Sequence, residues 1–289
     1  MLKRTLRSFY DDQITHHAAA LTYYGLMSLF PALLLGVSLL GLFGQFPGTY
    51  NAIIGYLREV APPSALVPLD NSLRTGLQNK GTAATTLLFS VATTLYGTTG
   101  VLEAARRALN VIFEVEAGRS FLRRKAIDVA FTFGLMALVL LSTTMVFVGG
   151  RFAADLLGFI GLGSTAARAW SVLRWPGALA AAMLAFALVY YVIPDVRLRS
   201  LRSVVPGAAV GVLLWLTASL GFSIYVSDLA NLGAVFGAFT GAIVLVGWLW
   251  LTNVALLFGA ELNAEIEREK ELTEGVPKGQ TLNRPPRRD

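Results

Sequence analysis

LANLGAVFGAFTGAIVLVGWLWLTNVALLFGA, residues 229–260, runs for 32 positions without one formal charge. A hydrocarbon core about 30 Å thick needs ~20 apolar helical residues to cross it. Only helices or closed barrels can cross, because lipid offers the backbone no hydrogen-bond partner. Barrel strands would alternate apolar and polar residues over segments of ~10, and this stretch does not alternate, so it reads as a transmembrane helix. Five other windows of 20 or more residues are equally free of charge: 13–57, 81–102, 129–150, 175–194 and 203–227. The expected fold is an all-α membrane protein with six transmembrane helices, at about 21–44, 82–102, 127–149, 175–194, 204–226 and 233–260. These form one domain over residues 1–270, followed by a disordered basic tail over 271–289.

Composition excludes the ordinary soluble classes. Hydrophobic residues make up 55% of the chain and charged residues 15%, with mean hydropathy +0.60. A soluble domain carries roughly 25% charged residues. The chain has no cysteine, which removes disulfides, thiolate metal sites and cysteine nucleophiles.

The net charge of +6 is explained by where the basic residues fall. With the N-terminus in the cytoplasm, 18 of the 24 Lys and Arg lie in inner segments and 6 in outer ones. The inner group includes Lys3, Arg4, Arg7, Arg106, Arg107, Arg123, Arg124, Arg197 and Arg199. That bias follows the positive-inside rule and puts both termini in the cytoplasm. The positive charge then faces anionic lipid, and no nucleic-acid partner is expected. No cleavable signal peptide is read, since the first apolar run is too long for an h-region and its small residues precede it. Leu2, Leu6, Phe9 and Tyr10 recur at helical spacing, which suits a short helix on the inner interface. The connections around 50–61, 69–79 and 151–174 read as outer loops carrying short interfacial helices.

Polar features within the spans supply candidate sites. Pro31 sits mid-span and displaces the carbonyl of Met27, four residues earlier. Tyr23, Tyr24 and Ser28 precede it by one or two turns, so the kink either lines a polar cavity or is a packing feature. In the second span Thr86, Ser90, Thr93, Gly97 and Gly100 share one face, opposite Leu88, Val91, Leu95 and Leu102. Such a stripe packs against other helices or lines a pathway. Gly233, Gly237 and Gly241 form two overlapping small-xxx-small steps. They suit close helix packing, within the chain or in a homo-oligomer.

Glu103, Asp128, Asp195 and Glu261 fall at the cytoplasmic ends of spans, with Arg106 and Arg107 nearby. Two readings stand. One is a ring of ion pairs at the inner edge. The other is an inward-facing site in which Arg106, Arg107 and Asn110 hold an anionic lipid head group while Glu261 or Glu103 relays protons. Catalysis finds little support: the only histidines are His16 and His17, and no metal-ligand spacing or phosphate loop appears. No cofactor, metal site or catalytic residue is expected.

Four segments resemble the YihY/BrkB family of bacterial inner-membrane proteins, formerly labelled ribonuclease BN. They are ALTYYGLMSLFP (20–31), LYGTTGVLEAARRALNVIFEVE (95–116), YVIPDVRLRSLRSVVPGAAVGVLLWL (191–216) and WLWLTNVALLFGAELNAE (248–265). The opening YYxLxSLFP pattern carries Gly25 at its intervening position, and GAELN at 259–263 is the other main marker. The resemblance implies six transmembrane helices and a multi-pass inner-membrane location. It does not imply a nuclease, because no general acid/base pair or metal cluster is available for phosphodiester cleavage. Three functional classes remain open: a transporter or lipid-handling protein of the cell envelope, a non-catalytic envelope scaffold, and a membrane-associated hydrolase.

Overall fold

Charge-free runs of this length that do not alternate satisfy their backbone as helices, and the computed structural model is nearly all helical among the residues it describes. It describes residues 2–43, 50–51, 54–55, 70, 80–115, 120–147, 163–229 and 238–274. No β-strand element occurs among them. The helices are α1 (Leu2–Asp11), α2 (Ile14–Phe43), α3 (Lys80–Ile112), α4 (Phe121–Phe147), α5 (Gly163–Val192), α6 (Val205–Leu229) and α7 (Ala238–Thr273). A 3-10 turn over Leu201–Val204 leads into α6. Helices α2 to α7 hold 25 to 36 residues each. At 1.5 Å per residue the shortest is ~37 Å long. Among the described residues, α5, α6 and α7 meet the length and hydropathy required of a membrane span.

Several helices run beyond the expected spans: α2 begins at Ile14, α3 continues to Ile112 and α4 begins at Phe121. Residues 163–174, expected in an outer loop, form the first turns of α5, which runs through Pro176 to Val192 without a break. Pro176 falls near the middle of that helix, where it removes one N–H and displaces the carbonyl of Val172, four residues earlier. Helix α7 continues well past Ala260, through the charged segment ELNAEIEREKELT. Residues 271–273, assigned to a disordered tail, belong to that helix, and Glu271 is buried. The rest of the tail, 275–289, lies outside the described residues, as do most of 50–79 and all of 151–162. Helix α2 likewise continues through Pro31, with the Ser28 hydroxyl donating to the Gly25 carbonyl at 2.8 Å.

The chain forms two compact units. The first comprises Met1–Ala19, Leu102–Tyr225 and Trp250–Asp289; the second comprises Ala20–Val101 and Val226–Leu249. In the second unit α2 and α3 meet through small residues. A Cβ on Gly97 would lie 3.1 Å from Ser28, and one on Gly100 would lie 3.0 Å from the Tyr24 ring. The polar stripe of α3 thus serves packing at these two positions. Ser90 on the same face is buried, while Leu88 and Val91 opposite it are exposed; Leu102, expected with them, is buried.

In the first unit α6 and α7 approach closely. A Cβ on Gly207 would collide with the Gly259 carbonyl, and one on Gly259 with the Gly207 carbonyl. One helical turn along α6, a Cβ on Gly211 would sit 2.9 Å from the Tyr190 hydroxyl. That hydroxyl donates to the Leu256 carbonyl at 2.6 Å, tying α5 to α7. Asn263 of α7 then reaches the start of α6, where the first four N–H groups lack intrahelical acceptors. Its Oδ1 accepts from the Gly207 N–H at 2.8 Å, and its Nδ2 donates to the Val204 carbonyl at 3.0 Å. Helices α4 and α5 also pack closely, with the Ser142 hydroxyl donating to the Ala178 carbonyl at 3.2 Å.

Among the described residues, glycine packing includes the Gly207–Gly259 contact, which the sequence reading did not name. Gly233 and Gly237 are outside the described residues, and Gly241 has nothing within 4 Å of a built Cβ. We predict that Gly259→Val destabilises the protein by about 2 kcal/mol through overpacking. Gly221→Ala, where a Cβ meets nothing within 4 Å, should leave the melting temperature unchanged or raise it. Thermal unfolding of the two variants in detergent checks this.

Candidate functional site

Two polar clusters of the first unit contain candidate residues. Each holds a carboxylate oxygen that is buried without a hydrogen-bond partner, Asp128 Oδ2 in one and Glu261 Oε2 in the other, but Asp128 is ion-paired through its second oxygen.

The first is built around Arg106, which is 1% exposed. Glu103, Arg106 and Asn110 recur at helical spacing on α3, so they share one face. The Arg106 guanidinium donates to Glu103 Oε2 at 2.8 Å, to Asp128 of α4, and through Nε to the Ile193 carbonyl at 3.3 Å. One turn further on, Asn110 accepts from the Asp195 N–H at 2.9 Å and donates to its carboxylate at 3.3 Å. Arg106 and Asn110 together therefore fasten α4 and the Ile193–Asp195 turn to α3. Glu103 is additionally 3.5 Å from Arg107 and 3.7 Å from Arg124. The Arg106 side chain is committed to these partners. Arg107, with a side chain 77% exposed, is the one of the two candidate arginines open to an anion.

The second cluster gathers where the α1–α2 junction, the end of α3 and the charged end of α7 meet. Asp12, Glu114, Glu261 and Glu265 bring four carboxylates there, with Arg268 as the guanidinium among them. Arg268 donates to Glu114 and, at 3.3 Å, to Glu265 Oε1. The Ser8 hydroxyl donates to the same Glu265 oxygen at 3.1 Å. The Phe9 and Phe258 rings, with centroids 5.8 Å apart, hold α1 against α7 beside this cluster. Glu261 is 2% exposed, and its buried Oε2 accepts no hydrogen bond; the buried Nε–H of Arg268 is likewise without an acceptor. Burial pushes the half-buried Asp12 carboxyl above the usual carboxylate range, assisted by the charge of Glu114 and opposed by Arg268.

Local backbone geometry at this cluster is unusual. The non-glycine residues with positive φ among the described residues are Gln13 (50°) and Glu114 (53°), one beside Asp12 and the other in the cluster itself. Glu114 closes α3 in a Schellman arrangement: its N–H bonds the Val111 carbonyl at 3.0 Å, and the Val115 N–H bonds the Asn110 carbonyl at 2.9 Å. Glycine is the usual residue there. A side chain in the left-handed region costs about 1 kcal/mol or more, and at Glu114 the Arg268 ion pair offsets it.

Of the sequence candidates, Glu103, Arg106, Arg107 and Asn110 belong to the first cluster and Glu261 to the second. Tyr23 and Tyr24 are exposed neighbours on α2 in the second unit, with ring centroids 5.4 Å apart, and Pro31 lies further along that helix. Sequence reasoning missed Asp12, Glu114, Glu265, Arg268 and Ser8. Their helical spacing was visible for Glu261, Glu265 and Arg268 alone, which lie one turn apart on α7. Among the described residues, no group of three or more Asp, Glu, His or Cys is placed to hold a metal ion.

Pairing predicts unequal costs in the first cluster. Arg106→Met should lower stability by about 3 kcal/mol, because it strands the buried Asp128 carboxylate. Glu103→Gln should cost far less, since its side chain is 32% exposed and Asp128 still neutralises Arg106. Chemical or thermal unfolding of the two purified variants distinguishes them.

The family described as Virulence factor BrkB matches residues 5–282. The "Putative ribonuclease-like protein YfkH" of Bacillus subtilis is 30% identical over 263 residues, covering 90% of this chain and 92% of its own. A UPF0761 membrane protein from Pseudoalteromonas translucida is 29% identical over 268 residues, covering 90% and 83%. A UPF0761 membrane protein from Xanthomonas oryzae is 26% identical over 257 residues, and this chain spans 58% of its length. No solved structure matches. With its apolar helices and a match from residue 5 to residue 282, the chain belongs to the BrkB family of bacterial membrane proteins.

Proposed function

We propose that this is a six-span inner-membrane protein, with both termini in the cytoplasm, that transports or rearranges an amphipathic component of the cell envelope. The observation that carries the reading is Glu261: a carboxylate 2% exposed, lacking a hydrogen-bond partner at Oε2, where the apolar run of α7 gives way to its charged end. A buried ionisable group without an ion pair, kept where a membrane-spanning segment ends, marks a working group, since packing alone would favour an apolar or amide side chain. Six helices of at least 25 residues and the 18 inner Lys and Arg support the topology. In this reading the membrane-spanning part of α7 ends at Ala260.

The substrate class follows from the inner edge. Lys3, Arg4, Arg7, Arg107 and Arg123 are exposed beside apolar side chains such as Leu6 and Leu122. Cationic heads next to apolar surface suit an anionic lipid or lipid conjugate. The chain then acts as a carrier and not as an enzyme. The ribonuclease-like name of the Bacillus relative is that protein's own and brings no catalytic residue across at this identity.

A scaffold is the competing reading, and it draws on the close glycine contact of α6 with α7. Reconstitution in vesicles of native membrane lipid, containing a fluorescent anionic lipid in both leaflets, separates the two. The carrier reading expects the inner-leaflet probe to become accessible to an external quencher faster than in protein-free vesicles. It also expects Glu261→Gln, correctly inserted, to slow that exchange at least tenfold. Vesicles that exchange no faster than protein-free ones, with only bulk lipid retained by the purified protein in native mass spectrometry, would favour the scaffold.

A further inference from the structure

The second cluster holds two unmet groups at once: the buried Oε2 of Glu261 and the buried Nε–H of Arg268. Both belong to α7, less than two turns apart, and Arg268 is the cation that acts most strongly on Glu261. The other charges that act most on Glu261 are negative: Asp12 at the α1–α2 junction, Glu114 at the end of α3 and Glu265 on α7 itself. The one guanidinium among these carboxylates is already committed to Glu114 and Glu265. Glu103, the other carboxylate in reach of the inner edge, is no competitor, because Arg106, Arg107 and Arg124 surround it.

We propose that Glu261 is a proton-binding site, loaded through the half-exposed Asp12, with Arg268 as the counter-charge that exchanges partners when the proton leaves. In the loaded arrangement Glu261 is a neutral acid and Arg268 bonds Glu114 and Glu265, as in the structure. Loss of the proton through Asp12 to solvent leaves a carboxylate beside an unused guanidinium donor. Arg268 then turns toward Glu261 and loosens its hold on Glu114. Because Glu114 keeps left-handed backbone, release of that ion pair frees the strained end of α3. The ligand is a proton and not a metal ion, for the carboxylates do not converge in ligand geometry among the described residues. The inference names the coupling ion of the carrier reading and rests on that reading only for its purpose.

Infrared difference spectroscopy of the protein in lipid discs tests the site without any transport assay. A carboxylic-acid C=O band should grow and decay with pH in the neutral range. It should shift when glutamate carries carbon-13 and stay fixed when aspartate does. Glu261→Gln should abolish it, and Asp12→Asn should retain it with a slower response to a pH jump. A spectrum without a glutamate-sensitive band, or an unchanged band in Glu261→Gln, would overturn the proposal; an unaltered response in Asp12→Asn would overturn the route through Asp12. Isotope labelling of the unmodified protein keeps the test decisive if a variant fails to fold. A titrating Glu261 in a protein that exchanges no lipid would sink the carrier reading alone, and lipid exchange without titration would sink the proton site alone.

Discussion

A charge buried at the end of an apolar helix must find its counter-charge within the protein, and this constraint organises the first unit. Arg106 meets it fully. Its guanidinium is divided between Glu103, Asp128 and the Ile193 carbonyl, so α3, α4 and the turn after α5 are held by one side chain. Such an arrangement is costly to break and gains little in net stability over an apolar one. Its value is geometric, because only one placement of three elements satisfies all the donors. Asn110 and Asn263 act by the same logic with neutral groups, one on the Asp195 backbone and one at the start of α6.

The second cluster departs from that rule. Asp12, Glu114, Glu261 and Glu265 outnumber their one guanidinium; Asp128 also has a buried oxygen without a donor but keeps its ion pair with Arg106, whereas Arg268 bonds Glu114 and Glu265 and not Glu261. The same segment is otherwise tightly specified. Gly259 admits the α6 backbone, Ala260 is fully buried, and Asn263 caps α6, so the residues around Glu261 are fixed while its charge is not. A position held this firmly and left electrostatically unmet has the character of a working group placed on a rigid support.

Much of this was legible in the sequence because it is local. Charge-free windows gave the long helices, and helical spacing put Glu103, Arg106 and Asn110 on one face. Boundaries were less legible: α7 runs on through ELNAEIEREKELT because Asn263, Glu265 and Glu267 pack against other elements, and no hydropathy window registers that. The second cluster was hidden for a related reason. Ser8 and Glu265 are 257 residues apart and Arg268 and Glu114 are 154 apart, so no spacing rule joins them. The glycine pair Gly207 and Gly211 shows the small-xxx-small spacing as clearly as the Gly233 series did. Only the partner helix distinguishes which step is used, and the partner of Gly207 is Gly259.

The contrast between the two clusters is the central claim, and one comparison tests it most directly: thermal unfolding of Glu261→Gln and Asp128→Asn side by side at neutral pH. Asp128 carries the charge that Arg106 needs, so its amide should lower the melting temperature clearly. Glu261 has neither an ion pair nor a hydrogen bond at Oε2 to lose, so its amide should leave the melting temperature unchanged or raise it. A loss in Glu261→Gln equal to that in Asp128→Asn would show Glu261 to be a structural partner like the rest, and would contradict the account.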